Sequence, residues 1–478
     1  MSVAQSEEIK IIQSSVAPGD PHICSDSVNR LSIIFSVYEA LVKRDDEGLF
    51  RPCLAERWSV EGDASTWTFE LRSGVSFHNG DVLCSEDVVA SLARVLDPSI
   101  GGAYGTQGVY NSYLGTAEIS ALDGKRVCIV TGEPMADLLD LLVAMPISPG
   151  SALDDLPDEY VGSGPYRVVE INPERTVLES HKDYWGGRQT AREVHWLAEP
   201  DPGKRVDALL FGEADIACDV GLEGKKLVEA SGKAEVCELQ SGLCIIFMCN
   251  AMRGACRDRR VRQALNYALD LEEVIAEVKG GAATPLNGFQ TPHHFGYDPE
   301  TPVYPYDPDK AKNLLSEAGY GDGLKLVFDI PSVMPDEAPH LARLMAHQYE
   351  RVGISVEIVE HPDRVAYAEM IRDKRINDAC CFDSSPRSTF RVLREKIHSG
   401  LRGPWWQGYA NEEVDALVDR AQATVDDEER RGIYCRAYRI IRDDAPWIFL
   451  YRPTFFWGVR STVKGWRPRS DGLIKVSS

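Results

Sequence analysis

The sequence has no run of about 18 apolar residues, so no membrane-spanning helix is expected. The longest apolar stretch, residues 138–147, is interrupted by Asp140 and Pro146. Basic charge is also scarce. The 52 Lys and Arg are outnumbered by 74 Asp and Glu, for a net charge of −22. That excludes a phosphate backbone as partner, and with it nucleic acid. A small ligand stays open, because a local positive site can sit inside an acidic shell. No C-x-x-C pair and no Cys/His spacing of the zinc type occurs. The nucleophile elbow, the P-loop, H-E-x-x-H and a strand-linked G-x-G-x-x-G are missing as well. No catalytic residue, cofactor or direct metal ligation is therefore expected. The first residues, Met1 to Glu8, have neither a basic start nor an apolar core, so no secretory signal stands in the sequence as written.

What is present is an ordinary globular composition: 478 residues, 44% hydrophobic and 26% charged, enough for two to four domain-sized units. Twelve cysteines stand at 24, 53, 84, 128, 218, 237, 244, 249, 256, 380, 381 and 435. Most read as small buried hydrophobes. Their number points to a reducing compartment or to a few disulfides.

Strand and helix signals alternate throughout, the pattern of an α/β protein. Residues 66–71 alternate so that Trp67, Phe69 and Leu71 share one face of a strand. Ser85 is placed to cap a helix opening with Glu86 and Asp87. Val261, Ala264, Leu265, Ala268 and Leu269 form a helical stripe. Asp307, Pro308 and Gly319 bracket a helix burying Ala311, Leu314, Leu315 and Ala318. Asn411 caps a helix carrying Val414, Leu417, Val418 and Ala421. Another carries Ile433, Ala437, Ile440 and Ile441, and Pro446 follows it. Residues 243–250 read as a strand whose cysteines pack.

Four segments then stand in order. The first runs from Leu54 to Trp58, through Trp67 to Asp81 with its Leu71-Arg72-Ser73-Gly74-Val75-Ser76-Phe77-His78-Asn79-Gly80 turn, and on to Ser85 and Val89. The second is Gly162-Ser163-Gly164-Pro165-Tyr166, continuing to Asp183-Tyr184-Trp185-Gly186-Gly187. The third is residues 258–270 and the fourth residues 306–320. Near the start, Pro21-His22 and Tyr38-Glu39-Ala40-Leu41 complete the set. Together these resemble the bacterial extracellular solute-binding proteins of family 5, the peptide-, oligopeptide- and nickel-binding components of ABC transporters.

The resemblance implies a two-lobed periplasmic-binding-protein (Venus flytrap) fold with two hinge strands. It divides the chain into a first lobe of residues 1–39, 163–243 and 446–478, an extra subdomain at 40–162 and a second lobe at 244–445. It implies a monomer in the periplasm that is not an enzyme. Such a protein captures a small ligand between its lobes and presents it to an ABC permease by hinge closure. A cytosolic ligand sensor or an enzyme reusing the fold is the alternative, favoured by the missing signal and the cysteines. Gly74, Gly80, Gly162 and Gly164 read as turn glycines, and His78 as a hydrogen-bonding side chain.

The resemblance also points to ligand residues. Peptide-binding members carry acids where this chain has Cys380-Cys381-Phe382-Asp383-Ser384-Ser385-Pro386-Arg387-Ser388-Thr389-Phe390. Asp383 is kept, but Ser385 and Arg387 replace acids around Pro386. An Arg fork suits carboxylate or phosphate, so an anionic or peptide-like ligand is expected at Asp383, Ser385 and Arg387. Trp405, Trp406 and Tyr409 add aromatic faces in a Gly/Pro-rich loop. Cys24, Tyr104 and Asn111 are the candidates from the first lobe and subdomain. Oligopeptide, opine-like conjugate, glycoside and metal-chelate all fit these groups. The His293-His294 pair reads as a solvated loop.

Overall fold

The computed structural model describes residues 6–102, 108–463 and 465–476. The chain forms two compact units, Met1–Leu239 with Phe455–Ser478, and Gln240–Thr454. It passes from one to the other at 239/240 and returns at 454/455. Each unit has its own core.

In the first unit, the strand Ser6–Gln13 runs parallel to Ala191–Ala198 on one side and to Ile216–Ala217 on the other. Arg175–Ser180 and Tyr166–Ile171 extend the sheet antiparallel. Trp196, Tyr38, Tyr166, Ile11 and Leu178 fill the core at 0–1% exposure. The same unit holds a four-stranded antiparallel sheet of Ala55–Val60, Thr66–Leu71, Arg126–Val130 and Glu118–Asp123. The expected alternation holds there. Trp67, Phe69 and Leu71 are buried, and the first two rings stack at 6.2 Å.

In the second unit, Leu324–Pro331 lies between Ile354–His361 and Ala379–Ser384, with all three parallel. Cys244–Cys249 pairs antiparallel with 379–384 and is buried at every position. Helices cover the sheet. Asp307 accepts from Lys310 N at 2.8 Å, Pro308 opens the helix and Gly319 follows at φ +90°. Asn411 caps its helix as expected. Two boundaries differ. The helix Ser85–Val95 is capped by Cys84, whose backbone N–H donates to Asp87 at 2.9 Å. The Ser85 hydroxyl is diverted to the Asp123 carbonyl at 2.5 Å, a tertiary contact that local sequence does not display. The third segment's helix stops at Tyr267, and Ala268 and Leu269 are buried beyond its end.

Among the described residues, no helix is long and apolar enough to cross a membrane, and no disulfide joins the cysteines.

Candidate functional site

Open α/β sheets bind ligands outside the carboxyl ends of their parallel strands. In the second unit the three parallel strands end at Pro331, His361 and Ser384, all on one edge. Residues 383–388 stand there. Asp383 is paired with Arg364 at 3.4 Å, with side chains 23% and 11% exposed. Arg364 also donates to Met334 O at 3.3 Å and lies over the Tyr367 ring at 5.6 Å. Ser385 and Arg387 are half-buried, and Arg387 packs against Gly242. Ser388 caps the helix Thr389–Lys396 by accepting from Arg391 N at 3.2 Å. The positive end of that helix therefore adjoins Arg387.

This loop is held from behind by the His pair. His294 is 4% exposed, which corrects the solvated-loop reading. Its Nε2–H donates to Pro386 O at 2.8 Å, while Nδ1 accepts from Thr291 N at 3.2 Å. Both ring nitrogens have partners inside the unit, and that satisfaction permits burial. Burial pushes its pKa down to about 4. His293 faces Gln240 O at 3.1 Å. No group of three or more metal-ligating side chains occurs among the described residues.

The aromatic loop adjoins the same strand. Trp405 is half-buried, with its ring 5.1 Å from Phe382. Trp406 is half-buried and its Nε1 donates to Tyr409 O at 2.6 Å. Tyr409 is 3% exposed and its hydroxyl donates to Asp444 at 2.8 Å. Lys374, at φ +61°, clamps this loop by donating to the carbonyls of Gly403 and Pro404 at 3.0 and 2.7 Å.

The first unit shows the same edge logic. The strand Ser6–Gln13 delivers the chain into residues 14–27 at the carboxyl end of its parallel pair. Arg94 grips Asp20 bidentately at 2.9 and 2.8 Å and donates to His22 Nδ1 at 3.1 Å. His22 Nε2–H therefore donates to Pro146 O, at 3.1 Å. Arg30 adds bonds to Pro18 O at 2.5 Å, Ile23 O at 3.3 Å and Asp20 O. Cys24 is buried and bridges to Gly102. The Asn111 amide donates to Leu96 O at 2.8 Å. Tyr104 lies outside the described residues.

Sequence reasoning did not single out Arg94, Arg364 or Lys374. Each acts across a long sequence separation, so no spacing marks it.

The signature segments also meet in the first unit. Glu39, 7% exposed, accepts from Ser163 at 3.0 Å, Tyr184 at 2.8 Å and Trp185 at 2.7 Å. Burial holds its carboxyl above the usual range. His78 Nε2 faces Gly164 O at 3.0 Å and its Nδ1 accepts from Gly162 N at 3.3 Å, the hydrogen-bonding role expected of it. Gly74 and Gly80 are positive-φ turns, at +76° and +91°. Gly162 and Gly164 are needed for another reason: a Cβ on either would strike the Val37 backbone.

Comparison with known proteins agrees with this architecture. Residues 50–378 match the model for bacterial extracellular solute-binding proteins, family 5 Middle. Heme-binding protein A of Haemophilus influenzae is 27% identical, with 90% of this chain and 84% of that one covered. Glutathione-binding protein GsiB of Pectobacterium atrosepticum is 28% identical, covering 94% and 88%. The periplasmic binding protein DppA of Helicobacter pylori, solved with the peptide STSA, superposes with a TM-score of 0.81 at 22% identity, covering 99% of each chain. These relatives are binding proteins rather than enzymes. The chain belongs to the bacterial extracellular solute-binding proteins of family 5, the class that captures solutes for ABC transporters.

Proposed function

We propose that this chain binds a small anionic, peptide-like ligand at the carboxyl edge of the 324–384 strands and passes it to an ABC permease. One observation carries the reading: Asp383, the acid that would hold a peptide amine, is engaged by Arg364. The next charged side chain on that loop is Arg387, beside a helix N-terminus, an arrangement that favours carboxylate. Trp405 and Trp406 supply flat apolar surface for the rest of the molecule. The names of the relatives support this, since glutathione and heme both carry carboxylates.

In this reading the protein acts as a monomer outside the cytoplasmic membrane, which light scattering and cell fractionation check. It works as a binder and not as an enzyme. Its thiols suit that role, because burial pushes those of Cys218, Cys244, Cys380 and Cys381 up, away from the reactive thiolate.

Native mass spectrometry of freshly purified protein is expected to show a carboxylate-bearing adduct. Calorimetry with that molecule, or with glutathione as a probe, is expected to show Arg387→Ala binding about tenfold more weakly, or about 1.4 kcal/mol. An unchanged affinity removes Arg387 from the site, and a cationic adduct overturns the reading.

A further inference from the structure

Two side chains in the second unit are buried with donor capacity that the described residues leave unfilled: the Ser384 hydroxyl has no partner, and the Lys396 ammonium has Glu395 alone. Ser384 closes the strand Ala379–Ser384 and is 1% exposed, and its Oγ has no hydrogen-bond partner among the described residues. Lys396 ends the helix Thr389–Lys396 with its side chain 1% exposed. Among the described residues its ammonium makes one hydrogen bond, to Glu395 Oε2 at 3.4 Å. That is beyond the usual range for an N–H···O bond, and an ammonium has three donors to place. The other Glu395 oxygen is held by Arg391 at 3.1 Å.

The two donors share a face. Lys396 Nζ lies 5.9 Å from the Phe382 ring centroid. Phe382 and Ser384 are two residues apart on one strand, so their side chains point to the same side. Cys244, the register partner of Ser384 on the neighbouring strand, is wholly buried, and its Sγ turns to the carbonyls of Gly242 and Phe289 at 4.0 and 3.9 Å. It therefore leaves the Ser384 hydroxyl unmatched.

Fully buried donors are stable only when satisfied, and unpaired buried ones call for an ion, a ligand group or water. Arg391 and Lys396 share the single carboxylate of Glu395, so positive charge is in excess there, and an acceptor that carries negative charge would take the spare protons of Lys396 together with the hydroxyl proton of Ser384. We propose that Lys396 and Ser384 form an internal binding point for a small monoanionic group, a carboxylate or a halide, beside the Phe382–Trp405 ring pair. The source is either a free anion or the carboxylate end of a captured molecule. The assignment stands whether or not Arg387 binds ligand.

Crystals of the full chain soaked in bromide test this, prepared from protein as purified and from protein stripped of small molecules by unfolding and refolding. An anomalous peak within about 3.5 Å of both Lys396 Nζ and Ser384 Oγ is expected. A peak in both preparations identifies a free anion. A peak only after stripping identifies a captured carboxylate. No peak in either preparation, or water alone at that position, overturns the proposal. In solution, bromide and formate are expected to raise the melting temperature of the parent. Ser384→Ala is expected to shift that titration about fivefold to higher concentration, the effect of one lost hydrogen bond. Lys396→Met is expected to abolish it. Should that variant not fold, Ser384→Ala decides alone, and an unshifted titration overturns the assignment.

Discussion

Gly162→Ala is expected to destabilise the first unit by roughly 3–5 kcal/mol, enough to lower its melting temperature by on the order of 10 °C. The added Cβ would overlap the Val37 carbonyl oxygen and sit 2.9 Å from the Tyr38 ring. Neither obstacle is the loose end of a side chain. The Val37 oxygen already accepts from Gly164 N at 2.9 Å, and Gly162 O accepts from His78 N at 2.9 Å. Relief of the clash must therefore stretch hydrogen bonds that tie residues 162–164 to both Val37 and the His78 turn. Thermal and urea unfolding measure the effect. Two controls separate it from glycine replacement in general. Gly62 has nothing within 4 Å of a built Cβ, so Gly62→Ala is expected to change stability by less than about 0.5 kcal/mol. Gly432 is an exposed position in the helix Asp427–Asp444 with the same open space. Gly432→Ala is expected to stabilise by roughly 0.5–1 kcal/mol. A Gly162→Ala protein as stable as the parent would remove steric necessity as the reason for this glycine.

That glycine also shows what the sequence could and could not display. The fold was legible because its signature segments are the parts that touch one another. Tyr38-Glu39, the Phe77-His78 turn, Gly162 to Gly164 and Tyr184-Trp185 converge around the buried carboxylate of Glu39, so their order along the chain carries the architecture. Helix limits set by local capping, such as Asp307 and Asn411, were equally readable. Those set by distant groups were not: Ser85 lost its cap role to a carbonyl 38 residues away. The return crossing at 454/455 lies inside one continuous strand, Trp447–Arg460, so no break between elements marks it. The candidate site is less legible still. Its composition shows the exchange of acids for Ser385 and Arg387. It does not show that Arg364 engages Asp383, that Tyr409 turns its hydroxyl to Asp444, or that His294 is the buried anchor of the loop. Each of these is fixed by packing between elements that no residue spacing connects.

Acidification is expected to destabilise the second unit between about pH 6.5 and pH 4, through His294. Burial holds this imidazole neutral in the folded state, with its pKa lowered from 6.5 to about 4. Above pH 6.5 the folded and unfolded chains are both neutral there, and the stabilisation is fully present. As pH falls toward 4, the unfolded chain takes up a proton that the folded chain refuses, so stability is lost. A displacement of this size corresponds to roughly 3 kcal/mol for a fully buried group. The surroundings oppose charge from several sides. His293 and Arg387 face the ring, and a proton on Nδ1 would displace the bond accepted from Thr291 N. The loss is also local. Nε2 holds Pro386 O, so opening at His294 releases the loop that carries Ser385 and Arg387. Hydrogen exchange at residues 385–388 should therefore rise before global unfolding. In the first unit His22 follows the same rule, with its pKa lowered to about 4 by burial and by Arg94. There Glu39 works in the opposite sense, because its raised carboxyl pKa adds stability as pH falls. In the second unit burial lowers the pKa of His293 as well, so the readout is the difference in slope between the parent and a variant at His294 alone. His294→Gln keeps a neutral donor and acceptor but cannot titrate. It is expected to be less stable at pH 7 and to lose about one proton's worth of slope between pH 6.5 and 4.5, or about 1.4 kcal/mol per pH unit at its steepest. If the melting temperature of His294→Gln falls with pH as steeply as that of the parent, the acid sensitivity of the second unit arises elsewhere.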